Sequence, residues 1–423
     1  MLMRARQLIK PSLLLLVCAF LVFAVPASAG PPAPPAIGML CHVSANGVVN
    51  AVTVNLEAAT GYISTPDGNS LFMWTYIPAG GAFQFPGPVL CFDQGDTVTV
   101  NLLNPAVTGV PEAVSIVFPG QTGVAATGSA GLFTAEATAS GGTASYTFTA
   151  GEPGTYLYES GTATHKQLEM GLYGVLVVRP AGAPGQAYAD PDTAFDTTRE
   201  YLMVLHEIDP ELHYAVEDGR PYDWNTRHDR YWTINGRSFP DTIAPNNAPW
   251  LPGQPYGALV QVNVSAATSA LIRYANAGTE NHPFHPHGNH LRVIARDGRL
   301  LSGPAGEDTS MEAFTKTIGS GQTYDLLFKF TNVESWTSGG NPVPVNIPGL
   351  ENLVFKDDLT FYSGSPYLGE KGDFGAGTTE LNECGEFYYP WHSHALNEFQ
   401  NFDEGFGGLA TLLRVDDPTA CTP

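Results

Sequence analysis

Two short histidine clusters lie towards the C-terminal end of the chain. The first, HPFHPHGNH, runs from His282 to His290, and the second is His392-Ser393-His394. Side chains alternate between the two faces of an extended strand, so histidines two residues apart share a face. Two such pairs on neighbouring strands would bring four imidazoles together, and imidazole binds copper, zinc, iron and nickel. The spacing predicts a metal site; the alternative is that these histidines hydrogen bond to the backbone at strand ends.

The elements that must position these histidines are predicted to be β-strands. The chain has 46 Gly and 34 Pro among its 423 residues, and charged residues make up only 14 %. This composition suits strands joined by turns rather than long helices. Segments 96–103 (DTVTVNLL) and 144–150 (ASYTFTA) show the alternation of strands. Similar motifs recur in the same order in both halves, which indicates duplication of one β-sandwich domain.

The domain organisation follows from shifts in composition along the chain. We predict a first β domain over 30–180, a Gly/Pro-rich linker over 181–200 and a second β domain over 201–423. Within the second domain, the weakly patterned stretch 332–383 is predicted to be a long insertion. A loop of that length is uncommon in a compact domain and is often functional.

The first 29 residues have the features of a secretory signal peptide. Three basic residues precede an apolar stretch at 13–25, and Ala-Ser-Ala at 27–29 provides a cleavage site. We therefore expect a secreted protein, periplasmic or extracellular, whose mature chain begins at Gly30. No later segment has an apolar run long enough to insert into a membrane.

The charge of the chain restricts its partners. The formal net charge is −22. The charged residues of the signal peptide are all basic, so its cleavage would make the mature chain more acidic still. This balance argues against nucleic acid or anionic membranes as partners. It is compatible with metal ions or small molecules.

Four cysteines remain once Cys18 leaves with the signal peptide. A secreted chain with four cysteines can form up to two disulfides, in three possible pairings. We predict Cys41–Cys91 and Cys384–Cys421, since each pair then lies within one domain.

Both histidine clusters resemble motifs of the multicopper oxidase family. HPFHPHG at 282–288 is similar to the family's His-Pro-x-His-Leu-His-Gly, and YPWHSH at 389–394 is similar to its terminal Trp-x-His-Cys-His. Segments 85–98, 154–174 and 231–239 resemble other family segments in the same order, so the resemblance spans nearly the whole mature chain. It implies an all-β fold of tandem cupredoxin-like Greek-key sandwiches, copper as the cofactor, and oxidoreductase activity.

The resemblance also implies roles for individual histidines. Family members pass electrons from a blue copper site, made of two histidines and a cysteine thiolate, to a three-copper cluster held by four His-x-His pairs. The positions of the second-domain cluster ligands are occupied here by His285, His287, His392 and His394. His282 stands at a blue-copper position and is a weaker candidate ligand.

The chain departs from the family pattern at the blue copper site. Ser393 replaces the cysteine, and Glu398 stands where the later histidine is expected. A serine hydroxyl cannot supply the soft thiolate of a blue copper site. Because Cys384 lies several residues before His392, a disulfide is the favoured use of this cysteine.

The first-domain half of the copper cluster is also altered. Val117, Pro119, Glu159 and Gly161 stand at its ligand positions. The remaining histidines are therefore expected to hold fewer ions than the full family complement, with Glu159 or His165 as a candidate additional ligand. Histidines with one carboxylate would also admit zinc or iron.

Two classes of function remain open. The first is a secreted copper-binding oxidoreductase whose substrate reaches the metal directly, because the thiolate relay is missing. The second is a non-catalytic metal-binding or structural module on a cupredoxin scaffold. Two-domain relatives place copper between subunits, so a homo-oligomer is compatible with either. We expect His206, His213 and His228 to be surface or hydrogen-bonded positions, and His290 to lie behind the ligands.

Overall fold

The structure is a computed structural model and describes residues 37–43, 45–263, 266–331, 387–402, 404–405 and 407–416. The predicted signal peptide, the predicted insertion at 332–383 and the predicted Cys384–Cys421 pair lie outside these residues. No helix of the described part is long and apolar enough to cross a membrane.

The first half of the described chain is built from short and medium strands. They are β1 (Ala51–Ser64), β2 (Ser70–Pro78), β3 (Leu90–Asp93), β4 (Thr97–Asn104), β5 (Ala125–Thr127), β6 (Ser129–Ala130), β7 (Ala135–Glu136), β8 (Gly142–Thr149), β9 (Gly154–Glu159) and β10 (Tyr173–Arg179). A five-stranded sheet has the order β2-β1-β4-β8-β5, a second sheet has the order β3-β10-β9, and β6 pairs with β7.

The second half repeats this construction with larger sheets. Its strands are β11 (Glu200–Ile208), β12 (Tyr231–Ile234), β13 (Val260–Asn263), β14 (Ala270–Asn276), β15 (His282–Pro286), β16 (Leu291–Arg296), β17 (Arg299–Leu300), β18 (Met311–Ala313), β19 (Lys316–Ile318), β20 (Thr323–Phe328), β21 (Phe387–Ser393), β22 (Gln400–Asn401), β23 (Glu404–Gly405) and β24 (Ala410–Asp416). One sheet has the order β17-β16-β20-β14-β11-β12-β22-β23, with β18 on β16, and the other has the order β13-β24-β21-β15-β19.

Helices are short and peripheral. The described α-helices are α1 (Thr164–Gln167) and α2 (Pro210–Glu217), and 3-10 turns occur at Pro191–Thr193, Trp224–Thr226, Asp241–Ile243 and Leu396–Glu398. Asp209 caps α2 by accepting a hydrogen bond from the Glu211 amide, and Pro210 occupies the first turn, where its missing N–H costs nothing.

Burial patterns explain why these segments form strands. In β4, Val98, Val100 and Leu102 are buried while their neighbours are more exposed, so one face of the sheet packs on the core. Every residue of β11 is buried, because β12 and β14 flank it and the first half packs against it. The predicted all-β fold of tandem cupredoxin-like domains is confirmed.

The segment predicted as a linker packs against the second half of the chain. Tyr188 and Phe195 are buried in one apolar cluster with Leu271, Ile294 and Leu327. Its Gly/Pro-rich composition suggested a solvated connection, but two aromatic side chains within it bury enough apolar surface to hold it on the sheet.

A buried polar network joins the two halves. Arg273 on β14 is fully buried and donates to Glu200 Oε1 at 2.7 Å, to Asp325 Oδ1 at 3.1 Å and to Thr155 Oγ1 at 2.9 Å. Tyr188 donates to the other oxygen of Asp325. Thr155 belongs to β9 of the first half, so this network ties β9 to β14 and β20.

The Cys41–Cys91 disulfide is present as predicted. It links the segment before β1 to β3, at a sequence separation of 50 residues. The closed loop contains β1 and β2, the two strands at one end of the five-stranded sheet.

Candidate metal centre

The two histidine motifs lie on neighbouring antiparallel strands. In the register of β15 and β21, His285 faces His392, Phe284 faces Ser393, and Pro286 faces Trp391. Alternate residues of this strand pair point to opposite faces, and one face is buried in the core, where Phe284, Trp391 and Ser393 lie. His285, His287 and His392 are half-buried and His394 is exposed, so the four histidines occupy the face opposite the core.

We call His285, His287, His392 and His394 the four-histidine cluster. The ring centroid of His285 lies 4.7 Å from the ring centroid of His287, 5.7 Å from that of His392 and 5.2 Å from that of His394. The centroids of His287 and His392 are 5.3 Å apart, and those of His392 and His394 are 6.0 Å apart. The structure thus brings together the four residues that the sequence named as the main candidate ligands.

Hydrogen bonds hold two of these rings through Nδ1. His285 Nδ1 lies 2.7 Å from both Phe314 O and Thr315 Oγ1, and His392 Nδ1 lies 2.7 Å from Ser393 O. A ring that donates through Nδ1 to a backbone carbonyl presents an unprotonated Nε2. A ring held through one nitrogen, with the other nitrogen as an acceptor, is common among metal-binding histidines. In this structure the acceptor nitrogen of His392 is in hydrogen-bond contact with His287 Nε2.

The position of His287 is fixed by its neighbours in the chain and across the sheet. Trp391 Nε1 donates to His287 O at 2.9 Å. Gly288, which follows, has a φ of +102°, a conformation that side-chain-bearing residues rarely adopt. A Cβ there would approach Leu413 Cδ2 to 3.2 Å, so both conformation and space favour glycine at the end of the motif.

The electrostatics of the cluster favour neutral imidazoles. Burial lowers the pKa of His287 to about 4, and repulsion from His285, His392 and His394 acts in the same direction. Burial also lowers the pKa of His392, with repulsion from His285 and His394 contributing and the bond to Ser393 opposing. Neutral imidazole is the form that binds metals.

The donor set fits a copper ion in chemistry and in one distance. His287 Nε2 and His392 Nε2 are 3.2 Å apart; two nitrogens bound to one ion at about 2 Å each lie roughly 3 Å apart. Among the described residues, however, no group of three or more His, Cys, Asp or Glu is arranged to hold a metal ion as it stands. In the metal-free arrangement His287 and His392 are in hydrogen-bond contact through these two atoms, with their ring planes 42° apart.

Comparisons with known proteins agree with this fold. A multicopper oxidase family model matches residues 79–183. The copper-containing nitrite reductase of Neisseria meningitidis is 31 % identical over 130 residues, 30 % of each chain. Laccase-25 of Oryza sativa subsp. japonica is 26 % identical over 255 residues, 58 % of this chain and 38 % of the laccase. The blue copper oxidase from Nitrosomonas europaea superimposes with a TM-score of 0.58 at 18 % identity, covering 88 % and 89 % of the two chains.

The comparisons support a relationship to the cupredoxin-domain multicopper oxidases, whose family model matches residues 79–183. The resemblance predicted from the two histidine motifs is therefore confirmed. The chain spans less than two fifths of the length of these two curated relatives in its matches to them. The structural likeness to the blue copper oxidase shows a shared fold.

His282 lies apart from the four-histidine cluster. It is three residues before His285, so it points to the opposite, core-facing side of β15 and is fully buried. His282 Nδ1 lies 2.9 Å from Glu398 Oε2, and its Nε2 lies 3.1 Å from Glu207 Oε2. With both nitrogens on carboxylates, His282 has no lone pair for a metal, which corrects its inclusion among the candidate ligands.

We call Glu207, His282 and Glu398 the carboxylate clamp. Burial by itself lowers the pKa of His282, but its hydrogen bonds and attraction to the two carboxylates outweigh this and raise the pKa to about 9. Burial likewise opposes ionisation of Glu207, but the bond from His282 and nearby positive charge hold the pKa of Glu207 well below its usual range. The two carboxylates therefore hold His282 in its protonated form.

Three of the residues that the resemblance places at first-domain ligand positions lie next to one another, namely Val117, Glu159 and Gly161. Val117 and Glu159 pair through their backbones, with N···O distances of 2.7 and 3.1 Å. A Cβ on Gly161 would meet Val117 Cγ1 at 2.7 Å, so the valine side chain fills the space beside it. Burial raises the pKa of Glu159. The exposed His165 packs its ring edge against Trp224, with centroids 5.1 Å apart.

The remaining histidines have structural environments. His206 and His213 are buried, each with one ring nitrogen on a backbone carbonyl, Glu169 O at 3.2 Å and Phe72 O respectively. Burial lowers the pKa of both to about 4. His290 is exposed, and its ring contacts Phe314, which also contacts His285.

Glu207 is the residue that the sequence analysis missed. It lies in the strand EYLMVLHEI, in which every side chain is buried. A carboxylate is rarely buried without a partner, so an acidic residue that follows the apolar run 201–205 in a predicted strand could have indicated a buried partner. The identity of its partner, His282, was not available, because 75 residues separate the two in sequence.

Proposed function

We propose that this chain is a copper-binding protein of the multicopper oxidase family that holds its metal through the four-histidine cluster. The observation that carries the proposal is the convergence of these imidazoles, with two Nε2 atoms 3.2 Å apart. Bound copper would supply one-electron redox chemistry. We propose fewer ions than the full family complement, because Val117 and Gly161 offer no nitrogen from the first half.

The proposed activity is oxidation of a substrate that reaches the metal directly. A relay through a blue copper site requires a thiolate, and this chain has Ser393 there, beside the carboxylate clamp. The cluster itself is accessible: His394 is exposed, and the side chains of Phe314 and Leu396 beside it are 63 % and 67 % exposed. An apolar rim of this kind suits a small organic substrate.

A non-catalytic metal-binding or structural module is the second candidate. It is favoured by one observation, the replacement of the thiolate relay by the fully buried His282 and Ser393. In both cases we propose metal ions or small molecules, rather than nucleic acid, as partners of this acidic chain. Both are compatible with a homo-oligomer in which a neighbouring subunit supplies metal ligands.

We also propose that the chain is exported and cleaved before Gly30. The Cys41–Cys91 disulfide supports this, since disulfides persist in oxidising compartments and are rare in the cytosol. N-terminal sequencing of protein recovered from the producing cells tests the cleavage site; retention of the first 29 residues would contradict it.

The decisive experiment compares the metal content of the unaltered protein with that of a His392→Ala/His394→Ala variant. We expect about one copper per chain, with a paramagnetic resonance signal and without the strong visible absorption of a copper–thiolate bond. The variant should fold but lose the copper. A matched variant, His42→Ala/His228→Ala, removes two exposed histidines outside the cluster and should retain the copper.

The outcomes separate the candidates. Copper with turnover of an oxidisable substrate supports the oxidoreductase, and copper without turnover supports the metal-binding module. Unchanged copper in His392→Ala/His394→Ala would place the metal elsewhere. An intense blue colour would show that a cysteine does reach the metal.

A further inference from the structure

The carboxylate clamp connects three elements that are distant in sequence. Glu207 lies on β11, His282 on β15, and Glu398 in the 3-10 turn Leu396–Glu398. Their side chains are 0 %, 0 % and 3 % exposed. The clamp therefore joins the turn that follows β21 to a strand of the other sheet of the second half, from the core side.

The far side of the clamp is firmly anchored. Glu207 Oε1 accepts from Thr279 Oγ1 at 2.8 Å and from the Glu280 amide at 2.9 Å, and it lies 3.2 Å from Arg227 Nη2. Arg227 in turn lies 3.0 Å from Glu169 Oε2. Glu207 thus has a fixed position, and His282 is held between this carboxylate and the carboxylate of Glu398 in the turn.

The near side of the clamp continues into the backbone of the cluster histidines. Glu398 O accepts from the Leu409 amide at 2.9 Å, and Leu409 O accepts from the Ser393 amide at 2.9 Å. The His394 amide donates to Pro283 O, next to His282, at 2.8 Å. Phe399, the residue after Glu398, packs its ring on His392 with centroids 5.2 Å apart.

We propose that Glu398 and His282 are positioning residues for the metal centre, holding the 393–399 segment so that His392 and His394 face His285 and His287. The inference rests on the proposed function for its metal but assigns a separate role. The two faces of the β15–β21 pair are coupled: charge on the buried face sets the geometry of imidazoles on the open face.

The experiment uses two variants at Glu398 and one control. Glu398→Ala removes the clamp from the turn, Glu398→Gln keeps the shape and an acceptor for His282 Nδ1 but removes the charge, and Glu312→Ala removes an exposed carboxylate on β18. For each full-length protein, copper titration gives the affinity, paramagnetic resonance reports the ligand geometry, and hydrogen–deuterium exchange of the metal-free protein reports the mobility of residues 393–399.

We expect Glu398→Ala to exchange faster across 393–399, to bind copper at least about tenfold more weakly, and to show an altered resonance signal. Glu398→Gln should recover part of both effects, and Glu312→Ala should match the unaltered protein. If Glu398→Ala does not fold, Glu398→Gln carries the test, with faster exchange and a shifted signal as the expected result.

Two failures are distinguishable. Absence of copper binding by the unaltered protein overturns the proposed function, and the positioning role then stands or falls on the exchange rates alone. Unchanged exchange at 393–399 in both Glu398 variants overturns the inference, whatever the copper content. Faster exchange with unchanged copper affinity and signal overturns the link to the metal.

Discussion

The carboxylate clamp places a charged imidazole where water cannot reach it. Taking an ion out of water is costly, and a buried pair offsets this only with good geometry and additional hydrogen bonds. His282 meets both conditions with carboxylates at 2.9 and 3.1 Å. Its protonation state is therefore part of the stability of the fold.

The pH dependence of stability tests this account. The pKa of His282 is raised from 6.5 to about 9, so its contribution is fully present below pH 6.5 and is lost as the pH rises through 9. This increase in the pKa of His282 corresponds to a contribution of about 3 kcal/mol to the free energy of unfolding. We expect the stability difference between the unaltered protein and His282→Gln to shrink over this interval.

Urea denaturation at several pH values between 6 and 10 measures this difference. His290→Gln, which changes an exposed histidine, is the control and should follow the unaltered protein throughout. A difference between the unaltered protein and His282→Gln that stays constant from pH 6 to 10 would show that His282 is not charged in the folded state.

At the scale of elements, the β15–β21 pair and the turn after His287 form the platform of the site. The cross-strand register sets His285 opposite His392, and side-chain alternation sends all four cluster histidines to one face. Gly288 then reverses the chain with φ at +102°. The platform thus depends on a backbone conformation that costs other residues about 1–3 kcal/mol.

Gly288→Ala should therefore weaken both the fold and the metal site. We expect a loss of about 1–2 kcal/mol in the free energy of unfolding together with weaker copper binding, since the strain lies next to His287. Gly321→Ala is the matched control: Gly321 also has a positive φ, +73°, but has open space around it.

The control should lose stability while keeping its copper affinity. Chemical denaturation and copper titration of both variants measure the two quantities separately. Equal copper affinity in the two variants would mean that the turn at Gly288 does not position His287.

Periodicity in the sequence was sufficient to predict many of these elements. The alternating segments at 96–103 and 144–150 correspond to β4 and β8, because a half-buried strand must alternate. The same rule separates His282 from His285, which are three residues apart. The partners of His282 could not be predicted, because Glu207 and Glu398 contact His282 only through the packing of two sheets.

At the scale of the whole molecule, the two halves share a core and a buried ion network. Leu157, Tyr173 and Val175 of the first half pack with Leu202 and Val204 of the second. The fully buried Arg273 sits at the centre of the network that joins β9, β14 and β20.

Arg273→Met should destabilise the entire molecule. The substitution preserves much of the side-chain volume but leaves Asp325 buried without its cation and Glu200 with Arg179 alone, and breaking a buried ion pair in this way costs about 3–5 kcal/mol. Arg292→Met, which removes a partner of the exposed Asp308, should have little effect, because surface ion pairs contribute little. Calorimetry of both variants measures the difference; similar melting temperatures would show that the network does not hold the halves together.

The buried face of the β15–β21 pair also determines which substitutions a blue copper site would require in this protein. Ser393→Cys alone would place a thiolate beside an imidazole already bound on both nitrogens by Glu207 and Glu398. A trigonal site of two histidines and a thiolate needs Glu398→His as well, and release of His282 from Glu207. Conversion to a blue copper site by single substitutions therefore passes through variants with an unpaired charge in the core, and such variants are strongly destabilised. The buried charges of the clamp thus oppose the assembly of a thiolate copper site at this position.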